Sequence, residues 1–395
     1  MTTNFARLHA FMDRQGLDAV VATSRENVTY LGGFWSMPQW TRFGPQSYVV
    51  YPRSGLADAC LITDAGALDL VADQGVPVAD VRAVGGFVMR RGDGPLDALD
   101  CRQAELFEAP RADSAQAALF AALRDRKLDR AAIGVDENGL LPGIASALRE
   151  SFPAARLVDA AGLLAQVRAV KTEGEVDILR TAAQITERAL EDALAIAAEG
   201  TTEAAMRRVF NGRLVAEDAL PAVCCIGFGT RSGLVNGQPS SRALQRGDLI
   251  RFDVGARYRH YRSDMSRIGV FGEPDARIVS GHVAVQAGVR QALSIMRPGL
   301  PVATLFHEVV AAVRDAGLPQ FDRTHVGHGI GLDAYDPPSL SAGSDAVLEE
   351  NMVLCVETPY YELGFGGLQV EDMVRVTADG VESLMSLDSH LRRFG

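Results

Sequence analysis

The feature that most constrains the fold of this chain is a series of carboxylates set into stretches that otherwise read as buried β-strand. The segment "LIRFDVGARYRHYRSDMSRIGV" (249–270) alternates as a hairpin, with Ile250, Phe252 and Val254 on one face and Arg251, Asp253 and Gly255 on the other. A turn near 257–260 returns the chain, so that Asp264, which shares its face with Arg262 and Ser266, is expected opposite Asp253. Two carboxylates meeting across a sheet repel and destabilise the pair unless a cation lies between them. The pattern recurs downstream, where Glu357 interrupts the apolar strand "NMVLCVETPYY" and Glu371 interrupts "GGLQVEDMVRV". The sheet must therefore carry acids on a face turned away from its helix-covered core, and a metal site resolves the repulsion.

Between the hairpin and the glutamates lies "HVGHGIGLDAYDPP" (325–338), whose glycines let the backbone approach a ligand and present His328. Two Asp, two Glu and one imidazole suit hard or borderline divalent ions, Mn²⁺ foremost, with Zn²⁺, Co²⁺ or Fe²⁺ as candidates. Carboxylates able to bridge point to two metals about 3.5–4 Å apart.

The succession of Asp253, Asp264, "GHGIGL" with His328, "MVLCVETP" with Glu357 and "LQVED" with Glu371 resembles the pita-bread metallopeptidase family over residues 170–390. That family includes Xaa-Pro aminopeptidases, prolidases, methionine aminopeptidases and the metal-free creatinases. "ENVTYLGGF" is similar to the N-terminal domain of the prolidase and creatinase branches. The resemblance implies a dinuclear metallohydrolase of a peptide or amide C–N bond. Asp253, Asp264, His328 and Glu357 would divide between the metals, Glu371 would bridge them, and Glu357 would also act as general base. It further implies a homodimer in which the aromatic loop 34–42, with Trp35 and Arg42, approaches the other subunit's cavity.

Three positions depart from the family pattern. Asn236 stands where the peptidases carry a histidine ahead of the "GD" of Asp248, Tyr335 where they carry one after the metal histidine, and Gln369 where they often carry an arginine before the last glutamate. An asparagine hydrogen-bonds an amide but cannot shuttle a proton, whereas a tyrosine can donate one. Asn236 and Tyr335 are therefore expected to serve catalysis in their place, with activity on ordinary Xaa-Pro dipeptides weaker than on the true substrate. A small carboxylate-bearing amide or cyclic amidine is the alternative substrate, with Arg262, His325, Trp35 and Arg42 as candidate contacts. A noncatalytic binding protein on the same fold is the competing class, and the intact ligand set opposes it.

With 395 residues, 47% of them hydrophobic, the chain is long enough for two domains. Short apolar strands alternating with helices suggest a smaller α/β creatinase/prolidase-like domain over 1–165. Helices, then hairpin, helices and strands suggest an α+β domain over 166–395, an antiparallel sheet covered by helices, here of the pita-bread type. Thr172 and Glu175 have capping-box spacing at the head of its first long helix. The net charge of −11 opposes nucleic-acid binding. The N-terminal amphipathic helix is charged throughout and no apolar run reaches bilayer length, which suggests no membrane association and a cytoplasmic location. The five cysteines lack CxxC spacing and are expected to be buried structural thiols.

Overall fold

A computed structural model describes residues 3–41 and 46–395. The chain divides into two compact units, Met1–Val167 and Arg168–Gly395. In the first, a mixed seven-stranded sheet runs in the order Arg111–Ala112, Asp80–Val84, Cys60–Asp64, Tyr48–Pro52, Ala19–Ala22, Ala132–Val135, Arg156–Asp159. Its central strands read as short continuous apolar runs because both faces are covered: every residue of Ala19–Ala22 and Tyr48–Pro52 is buried. Helix Ala115–Asp125 supplies Leu119 and Leu123 to the core against them.

The second unit is built on a ten-stranded sheet. Its main path runs Tyr261–Arg262, Leu249–Tyr258, Met265–Phe271, Glu371–Thr377, Val353–Glu357, Gly327–Gly329, Asp336–Ser339. Leu220–Phe228 extends it beside Leu249–Tyr258, and Arg392–Phe394 adds parallel to Met265–Phe271. Helix Glu173–Ala195 begins with the expected capping box and packs on strand Leu249–Tyr258. Helices Ala276–Ile295 and Val302–Asp315 form a core with Leu354, Val356, Val374 and Val376.

Alternation explains how a sheet carrying several acids stays folded. Ile250, Phe252 and Val254 are fully buried and together contribute on the order of 5–9 kcal/mol, which holds the strand against repulsion on its other face. Leu354 and Val356 do the same behind Glu357.

Two features of the sheet differ from expectation. The hairpin turns at Arg259 and His260, both with positive φ, and its register sets Asp253 opposite Ser266. Asp264 lies in the break between Tyr261–Arg262 and Met265–Phe271, so the two aspartates are diagonal neighbours on one face, not directly opposed. The break is a close crossing: a Cβ on Gly255 would lie 2.0 Å from the Ser263 carbonyl oxygen, so only glycine fits there. The stretch "GGLQVEDMVRV", read from sequence as one strand, is also two pieces. Gly366–Leu368 pairs with Tyr360–Glu362 in a separate ribbon, and Glu371 opens the main strand.

Candidate metal centre

Five ligand candidates arrive on one face, two from the 249–271 hairpin and one from each of three further strands. Glu371 is the cross-strand partner of both Ser266 and Glu357, which brings the hairpin and strand Val353–Glu357 to the same point. His328 is the partner of Cys355 two positions before Glu357. Its strand reaches so close that a Cβ on the preceding Gly327 would fall 2.0 Å from the Cys355 carbonyl oxygen; Gly327 also has φ +141°, which excludes other residues.

Side-chain ligand atoms of Asp253, Asp264 and Glu371 all lie within 4.8 Å of one another, and so do those of His328, Cys355 and Glu371. Glu371 is common to both groups. Glu357 sits beside them, sharing the Gln369 amide with Glu371: Gln369 Nε2 is 3.4 Å from Glu357 Oε2 and 3.3 Å from Glu371 Oε2.

The electrostatics match a site shaped for cations. Burial, then the neighbouring charges of Asp253 and Glu357, push the Asp264 carboxyl well above the usual range, and its Oδ1 is buried without a hydrogen-bond partner among the described residues. Glu371 is raised in the same way by burial and then by Asp264, Glu357 and Asp253. Burial raises Glu357 to about 7 and also raises Asp253, for which Arg251 is the leading opposing charge. A buried acceptor with no donor is what a divalent ion satisfies. His328 is held neutral, its pKa lowered to about 4 by burial, and its Nδ1 lies 3.0 Å from the Gly329 carbonyl. The carbonyl only accepts, so Nδ1 carries the proton and Nε2 keeps its lone pair for a metal. The donor set therefore fits divalent ions.

The remaining sequence candidates fall in different places. His325 Nδ1 lies 3.3 Å from Glu357 Oε1, beside the cluster. The Tyr335 ring lies against His328, centroids 4.1 Å apart and tilted by 34°, while 66% of the tyrosine stays exposed. Asn236 is exposed and lines a cavity of about 640 Å³ with Arg207, Arg208 and Asn211. The cavity wall includes Cys225, the cross-strand partner of Asp253. The Arg262 backbone N–H donates to Gly331, and its Nε is buried without a hydrogen-bond partner among the described residues. Trp35 belongs to the first unit, where its backbone N–H and C=O both bond to the Gln74 side chain. Arg42 lies outside the described residues.

The expectation of buried structural thiols holds for Cys60, Cys225 and Cys355, whereas Cys101 is exposed and Cys224 half-buried. Cys355 Sγ lies within 4.8 Å of ligand atoms of His328 and Glu371. Strand parity accounts for that proximity, because Cys355 and Glu357 must share a face. Arg251 and Tyr361, which contact the Gln369 side chain, were also missed as parts of the centre. Arg251 shares the parity of Asp253, but a buried arginine in a strand is not distinguishable from a rim residue by pattern alone.

Known proteins bear on this geometry. Residues 5–170 match the creatinase/prolidase N-terminal domain, and residues 177–378 match metallopeptidase family M24. The Xaa-Pro dipeptidase of Pyrococcus furiosus is 28% identical over 231 residues, 58% of this chain and 66% of that protein. The Xaa-Pro dipeptidase of Pyrococcus horikoshii is 28% identical over 233 residues, again 58% and 66%. The matched stretch thus spans just under two thirds of these relatives. Among solved structures, dipeptidase PepE of Mycobacterium ulcerans superposes with a TM-score of 0.78 at 26% identity, covering 98% of this chain and 96% of that one. The X-Pro aminopeptidase of Thermotoga maritima gives 0.78 at 24% identity, covering 98% and 99%, and shares the fold.

Proposed function

We propose, since the chain belongs to metallopeptidase family M24, that it hydrolyses the C–N bond of short peptides, with Xaa-Pro dipeptides as the first substrate class. The observation that carries the reading is the convergence of Asp253, Asp264 and Glu371, and of His328 and Glu371, on one sheet face around a buried acceptor that has no donor among the described residues. The names of the Pyrococcus relatives supply the substrate class. Two divalent ions, Mn²⁺ foremost, would be held by Asp253, Asp264, His328, Glu357 and Glu371. Bound there, such ions supply Lewis-acid polarisation of the scissile carbonyl and a nucleophile at neutral pH.

The chain's own groups do the rest. The Glu357 carboxylate accepts the proton of the attacking water, and His325, whose Nδ1 lies 3.3 Å from Glu357 Oε1, contacts the substrate beside it. The Tyr335 hydroxyl donates toward the leaving nitrogen, and the Asn236 side chain hydrogen-bonds the substrate amide. We also place the protein in the cytoplasm as a homodimer, with residues 34–42 beside the partner's cavity.

A second substrate class, small cyclic or linear non-peptide amides, is favoured by one observation. The two outer positions, Asn236 and Tyr335, are exposed and carry no imidazole. The deciding experiment measures turnover by Mn²⁺-loaded protein on Xaa-Pro dipeptides, matched Xaa-Ala dipeptides and cyclic amides. The expected result is proline-dependent cleavage that a chelator abolishes and Mn²⁺ restores. Cleavage of a cyclic amide ahead of every dipeptide would transfer the assignment to the second class, and full activity in metal-free protein would overturn both.

A further inference from the structure

We propose that Arg251 is an internal counter-charge that fixes the two glutamate ligands of the metal centre, acting through the side-chain amide of Gln369. The inference rests on the metal reading of that centre. Arg251 is 1% exposed and sits on the ligand face of its strand, two residues before Asp253. Its Nη1 is 2.7 Å from Gln369 Oε1, 3.2 Å from Asp253 Oδ2 and 3.0 Å from the Tyr361 hydroxyl. Its Nη2 is 2.7 Å from the Leu234 carbonyl and 3.0 Å from the Val235 carbonyl, the two peptide groups that lead into Asn236.

The contact to Gln369 decides an orientation that an amide alone leaves open. A guanidinium only donates, so the group 2.7 Å from it must be the amide oxygen. The NH₂ end is thereby turned toward Glu357 and Glu371, and it reaches both, at 3.4 and 3.3 Å. Each glutamate then has one oxygen held by a neutral donor and the other left to bind metal. Without Arg251 only the Tyr361 hydroxyl, 3.1 Å from Gln369 Oε1, opposes a flip that would present the amide oxygen to two carboxylates and repel them both. The positive charge that the peptidases often carry at position 369 is therefore present in this chain, supplied from strand Leu249–Tyr258 and relayed by an uncharged group.

A purely structural arginine, clamping the 234–235 carbonyls, would make the same contacts to that loop but would have no reason to act on metal affinity through Gln369. Coupling separates the two roles. Mn²⁺ binding to the metal-stripped full-length protein is measured by titration calorimetry for wild type, Gln369→Met, Arg251→Gln and the double variant, with melting temperatures of the metal-free proteins alongside. Gln369→Met, which leaves no buried charge without its partner, keeps the test usable if Arg251→Gln fails to fold.

Orienting groups behind metal ligands typically contribute 10–100-fold in affinity. Each single substitution is expected to weaken Mn²⁺ binding within about that range, the double variant to be little weaker than the worse single, and Arg251→Gln/Gln369→Arg to recover at least tenfold. Singles that bind within about twofold of wild type, losses that multiply in the double variant, or a folded exchange variant without recovery would each overturn the inference. Because binding is read and not turnover, a wild type that takes up no Mn²⁺ refutes the metal reading itself, whereas tight wild-type binding with unaffected variants refutes only the role of Arg251.

Discussion

Asp264 shows what the centre demands of a single residue. Its carboxyl is crowded by Asp253 and Glu357, and one of its oxygens has no donor among the described residues, so in metal-free protein it opposes folding. Asp264→Ala should abolish stoichiometric Mn²⁺ binding while leaving the melting temperature of the metal-free protein at or above that of wild type near pH 7.5; a drop of several degrees would contradict this account. Tyr335 makes a different demand. Its ring packs, tilted, against His328, and its hydroxyl is the part assigned to chemistry. Phenylalanine keeps that ring contact, so Tyr335→Phe should preserve metal content and KM while lowering kcat by about 10²-fold or more, the range for a general acid. A KM effect alone would make the tyrosine a binding residue.

At the scale of elements, helix Glu173–Ala195 joins sequence pattern to buried electrostatics. Glu175 closes the capping box with Thr172, accepts from the Tyr261 hydroxyl at 3.0 Å, and is raised to about 7 chiefly by burial. An acid whose pKa is raised on folding stabilises below its unfolded value of about 4.5, and that stability is lost as the pH rises through about 7. Melts of wild type and Glu175→Gln between pH 5 and 8 should therefore diverge, the wild type losing up to about 3 kcal/mol relative to the variant, which keeps the cap with a neutral side chain. Parallel curves would show that Glu175 titrates normally. The capping box was legible because it is a local code, and so were the helices and the faces of the ligand strands, which follow from period 3.6 and period 2. The diagonal offset of Asp253 and Asp264 was not, because it depends on where the turn residues Arg259 and His260 adopt positive φ. Nor was the roughly polar-free strand Leu220–Phe228 recognised, since "LPAVCCIGF" alternates weakly and carries a proline at its second position. Gln369 could be read only as a departure, because its partner Arg251 is distant in sequence and meets it only when the sheet curls.

At the scale of the whole molecule, each unit has its own core, Leu119, Leu123, Val50 and Ile133 in one and Val289, Val309, Val356 and Val374 in the other. Hydrogen exchange on adding Mn²⁺ should accordingly show protection gained in 249–271, 325–336 and 353–377, with the strands of residues 19–64 unchanged; equal protection throughout would place the metal's effect elsewhere. The proposed ligands are dispersed along the chain from Asp253 to Glu371, and the long helices Ala276–Ile295 and Val302–Asp315 intervene between them. No short-range intermediate can assemble such a site, so its affinity exists only after the slow, non-local pairing of the sheet is complete. The ion then acts as a kinetic latch: in a chevron experiment Mn²⁺ should depress the unfolding limb and leave the refolding limb where it was, so that a cell supplying the metal late would lengthen the lifetime of the native state without hastening its arrival.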